Sequence, residues 1–154
     1  MITALKNAYM GELYGIAFFR YFIDNRKDGD KQGTWQRLLD IELLTAQRLR
    51  QGLELLGEQV PETDEAMTSK GMSDAEKWAN LPWPQLIDTM VDWVAPYQQR
   101  YQANTDAATE YLDLFTLVSD HENAIYDFLL AEKNGAANPG AILDGFLALY
   151  SGTA

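Results

Sequence analysis

Glu58–Leu81, EQVPETDEAMTSKGMSDAEKWANL, separates two pairs of long amphipathic segments and decides how the helices of this chain are connected. It is polar and irregular, except that Ser73-Asp74-Ala75-Glu76 has the pattern of a capping box and opens one or two turns of helix through Asn80. A connection of this length is a crossover, not a tight turn.

On its amino-terminal side, a first amphipathic helix runs from about Thr3 to Asn25 and ends in the turn formers Asn25-Arg26-Lys27-Asp28-Gly29-Asp30. A second runs from the capping residue Thr34 to Leu56, with Gly57 where helices stop and Pro61 beyond. On the other side, Leu81-Pro82-Trp83-Pro84 starts a third main helix, since proline suits a first helical turn. That helix continues to about Ala103, with Pro96 expected to kink it. A brief reversal at Asn104-Thr105-Asp106 leads into a fourth, which runs to about Asn134 and stops at Gly135. Asn138-Pro139 caps a short final helix with Ile142, Leu143, Phe146 and Leu147 on one side. The expected fold is therefore all-α: one antiparallel four-helix bundle spanning residues 1–154 as a single domain, with a long crossover and a short C-terminal helix. An up-and-down bundle with a decorated loop is the other arrangement this pattern allows.

Composition narrows the function classes. The chain is long enough to bury a full core, with 154 residues of which 47% are hydrophobic. A formal net charge of −11 repels phosphate backbones and anionic bilayers, so neither nucleic acid nor a membrane surface is an expected partner. The absence of cysteine rules out thiolate and disulfide chemistry and is consistent with a cytoplasmic location. No stretch approaches the roughly 20 apolar residues of a membrane span.

The informative residues are acids on apolar faces. In the second helix Arg37, Asp40, Gln47, Gln51, Glu54 and Glu58 mark the wet side, and Glu42 lies about 200° from Asp40, among Leu38, Thr45, Leu49 and Leu56. In the fourth, Asp113, Asp120 and Asp127 mark the wet side, and Glu122 falls on the stripe Tyr111, Phe115, Val118, Ile125, Leu129. The first helix buries Leu5, Tyr9, Ile16, Phe19 and Ile23, and Glu12 fills the step between Tyr9 and Ile16. Each inward acid taken singly can be an edge residue whose carboxylate reaches water. Three together predict one internal polar site, because unpartnered buried carboxylates cost several kcal/mol each.

Over about Thr3 to Asn134 the chain resembles the ferritin-like superfamily, whose dimetal proteins take a lone Glu from each of two helices and Glu-x-x-His from each of the other two. Glu12 matches a lone Glu, and Glu42 and Glu122 match the acids of the paired motifs. Gly11-Glu12 and His121-Glu122-Asn123-Ala124 further resemble a Gly-Glu and a His-Glu-x-Ala found in uncharacterised bacterial ferritin-like proteins. The departures are specific. Thr45 and Ile125 stand where histidines belong, and the third main helix presents Trp83, Ile87, Met90, Val94, Tyr97 and Tyr101 inward while Asp88 and Asp92 sit nearer its polar side.

What remains is an incomplete metal set: Glu12, Glu42 and Glu122, with His121, expected on the flank of its helix, as a fourth ligand if it turns inward. Such donors accept Fe, Mn or Zn. Two readings follow. In one, the protein is an Fe- or Mn-dependent oxidoreductase. In the other, the site has decayed into a non-enzymatic binding or interaction module, with Tyr9, Tyr97, Tyr101 and Thr45 donating hydrogen bonds to the glutamates and Met90, Tyr97 and Tyr101 lining a pocket for a small organic ligand. The resemblance also implies pairing as a homodimer; separately, Phe18 and Tyr21 are the aromatics of the first helix from which an interface could be built. Gly11 and Gly15, flanking Glu12, imply close helix approach or space left for a ligand.

Overall fold

In the computed structural model, which describes residues 1–152, the chain is all-α, with six α-helices and no strand among those residues. It divides into two compact units. The first, Met1–Asn80, contains α1 (Ile2–Asn25), a 3-10 turn (Gly29–Lys31), α2 (Gln32–Leu55) and α3 (Glu65–Trp78). The second begins at Leu81 and contains α4 (Trp83–Ala107), α5 (Leu112–Lys133) and α6 (Gly140–Ser151). None of these helices is long and apolar enough to cross a membrane.

In the first unit both α2 and α3 pack against α1. Their common core is aromatic: Phe22 of α1 stacks on Trp35 of α2 with centroids 4.6 Å apart, and Phe18 meets Trp78 of α3 edge-on at 5.8 Å. Phe18 is fully buried. It is a core residue and not an exposed interface residue, because α3 covers the side of α1 that the periodicity of α1 alone leaves open.

The segment after α2 is more ordered than its composition predicts. α3 opens at Asp64, not at Ser73, because the Asp64 carboxylate accepts the Met67 backbone N–H at 2.9 Å and Glu65 stands in the positively polarised first turn. Gly71 lies inside this helix where α3 runs against α1. A Cβ there would strike the Tyr14 backbone carbonyl and lie 3.1 Å from both the Ala17 Cβ and the Phe18 nitrogen. The glycine that makes the segment look irregular is what lets two helix backbones touch.

α2 and α5 end as their glycines predict. Glu58 N–H donates to Leu53 C=O and Gly57 N–H to Glu54 C=O, with Gly57 at φ 81°; Ala136 and Gly135 repeat both bonds at the end of α5, with Gly135 at φ 72°.

In the second unit α5 packs against both α4 and α6. α4 runs through Pro96, which lies on its exposed side, and past the expected reversal at Asn104–Asp106, because the Thr105 hydroxyl donates to the Phe115 carbonyl at 2.9 Å and ties the last turn of α4 to α5. The reversal falls at residues 108–111 instead. Tyr111, expected on the apolar stripe of α5, precedes that helix at φ 55°, in the left-handed region. In α6, Leu143 and Phe146 are buried as their spacing predicts.

Candidate functional site

Glu12 of α1 and Glu42 of α2 are both buried, at 3% and 6% exposure. A carboxylate oxygen of one lies within 4.8 Å of a carboxylate oxygen of the other. Two antiparallel helices that each place an acid on the apolar face near mid-length bring those acids level, so the pair follows from the sequence register. Thr45, one turn after Glu42, is fully buried in the position where a Glu-x-x-His motif would carry its imidazole.

Tyr9 is buried one turn before Glu12, but it serves another partner: its hydroxyl donates to the Pro61 carbonyl at 2.7 Å. Burial raises its pKa, Arg50 opposes that rise, and Glu62 and Glu54 add to it. Tyr9 also lines a cleft of about 630 Å³ within the first unit, together with Leu13, Ala46 and Arg50. The expectation that Tyr9 donates to the glutamates is corrected by the segment after α2, which offers it a backbone acceptor.

In the second unit the order of burial on α5 is the reverse of that expected. His121 is fully buried, whereas Glu122 retains 15% side-chain exposure. Phe146 of α6 stands edge-on to the His121 ring at 6.0 Å, and covers the flank of α5 on which the histidine lies. Periodicity within α5 could not reveal a surface supplied by α6, although the apolar stripe of that last helix was the available signal. The Glu122 Oε1 lies 3.8 Å from His121 Nε2, beyond hydrogen-bond range.

The third main helix, α4, supplies no buried acid: Asp88 has 60% side-chain exposure and Asp92 is exposed. Met90 is fully buried, Tyr101 is half-buried, and Tyr97 is 39% exposed with the Arg100 guanidinium 5.4 Å from its ring centroid. Tyr97 is thus corrected from an inward to an outward residue. It sits beyond Pro96, in the half of α4 where no residue is fully buried and Gln98, Tyr101, Gln102 and Thr105 are half-buried.

No protein-family model, curated protein or solved structure matches the chain.

The chemistry is therefore read from the residues. Glu12 and Glu42 of the first unit are buried, and each offers one ligand atom; His121 of the second unit is buried too. The carboxylate pair is chemically suited to Fe or Mn, but it falls well short of the six protein ligands of a full dimetal centre.

Proposed function

We propose that this protein is a ferritin-like metal-binding protein whose internal centre is reduced from two ions to one. Glu12 and Glu42 hold the ion. The protein acts by binding, not by oxygen chemistry. The buried pairing of Glu12 with Glu42 carries this reading. Two carboxylates removed from water within 4.8 Å of each other repel unless a cation or a proton lies with them. A divalent ion offsets both charges at once. The ligand chemistry argues for one ion, because Thr45, one turn after Glu42, cannot replace a histidine.

Metal analysis of protein purified without added metal, followed by anaerobic Fe(II) and Mn(II) titration, tests this. One ion per chain is expected for wild type and none for Glu42→Gln. No saturable binding by wild type would refute the proposal.

A further inference from the structure

Gly15 is buried on α1, one turn after Glu12, and what it faces is unusual for a glycine in a helix interior. A Cβ built on it would lie 2.5 Å from Glu42 Cδ and 2.6 Å from each of the two Glu42 oxygens. The three nearest atoms all belong to one carboxylate. Gly71 makes the contrast, since its missing side chain is filled by the backbone of a neighbouring helix. At Gly15 the vacated volume holds a functional group, not a packing surface.

We infer that Gly15 is a positioning residue: the absence of its side chain is what seats the Glu42 carboxylate beside Glu12. This inference rests on the proposed role of Glu42 as a ligand. Glycine inside a helix is disfavoured by roughly 0.5–1 kcal/mol relative to alanine, so the α1 backbone alone would favour alanine. The obstacle to alanine is the tip of a flexible side chain, which can swing aside. Substitution therefore leaves the helix intact and displaces the carboxylate. A glycine retained only for helix packing would behave oppositely, because its neighbour could not yield.

Two readouts separate this inference from the metal reading. The first is Mn(II) titration of wild type, Gly15→Ala and the double variant Gly15→Ala/Glu42→Asp. The shorter aspartate draws its carboxylate back from the new methyl group. Gly15→Ala should keep wild-type helical circular dichroism and weaken Mn(II) binding at least tenfold, and the aspartate should recover part of the loss. Wild-type affinity in Gly15→Ala would overturn the inference while leaving the metal proposal standing.

The second readout needs no metal. In a Glu42→Ala background the carboxylate is gone, so Gly15→Ala should raise the thermal midpoint by about 2–4 °C in the presence of chelator. In the Glu42 background the same change should lower it. Equal shifts in both backgrounds would overturn the inference even if wild type binds no metal. Should Gly15→Ala alone fail to fold, restored folding on adding Glu42→Ala reports the same coupling.

Discussion

Trp35 donates its indole N–H to Asp28 Oδ2 at 2.7 Å while Arg26 grips both oxygens of the same carboxylate, at 2.9 Å and 2.8 Å. The pair is nearly enclosed, with about 10% side-chain exposure on each partner. Burial alone would raise the Asp28 pKa, but the hydrogen bonds from Arg26 and Trp35, with the Arg26 charge, outweigh it and hold the carboxyl below its ordinary value. Asp28→Asn should destabilise the protein by about 1.5–3 kcal/mol at neutral pH, the usual range for hydrogen bonds to a charged group. The sign of the pH dependence follows from the depressed pKa. The contribution is full above the unfolded value of about 3.9 and is lost as pH falls through the lower folded value. Urea melts of both proteins should therefore differ most at pH 7 and converge below about pH 4.

Chelation should act on stability through Glu42. An ion that binds only the folded state at a free concentration of 100 Kd stabilises it by about 2.7 kcal/mol. Wild type should lose thermal stability when EDTA replaces Mn(II), and Glu42→Gln should show no response to either. An equal response in the two proteins would place the ion elsewhere.

Phe18 separates core from interface. It is fully buried between α1 and α3, so Phe18→Ala should cost about 3–5 kcal/mol, read by chemical denaturation. A change confined to oligomeric state, with stability intact, would contradict that burial.

Much of the fold is legible in the sequence, and the reasons are local. Gly57 and Gly135 end their helices because only a residue comfortable at positive φ makes those caps, and each stands at the end of an apolar repeat. Glu42 could be assigned to the interior because other charges mark the wet face of its helix, and Glu12 because it fills a step in the apolar stripe of α1. Three of the misreadings share one cause, which is a surface supplied by another element. α6 buries His121, α3 buries Phe18, and the Pro61 carbonyl takes the Tyr9 hydroxyl. The length of α3 was hidden by the polarity of its segment, in which the capping pattern at Ser73 stands out more than the cap at Asp64 that the helix uses. The seat that Gly15 makes for Glu42 is invisible to periodicity, because it is a missing atom on one helix meeting the tip of a side chain on another.

Arg26 does more than hold Asp28. Its remaining amino group donates to the Ala79 carbonyl at 2.8 Å, fastening the exit of α1 to the end of α3. The clasp uses only residues of the first unit, all of them made before Leu81. A ribosome delivering this chain from its amino terminus releases a segment that can close on itself, with Glu12, Gly15 and Glu42 already in register, before His121 has been synthesised. The two acids thus become neighbours within the part of the chain that is made first.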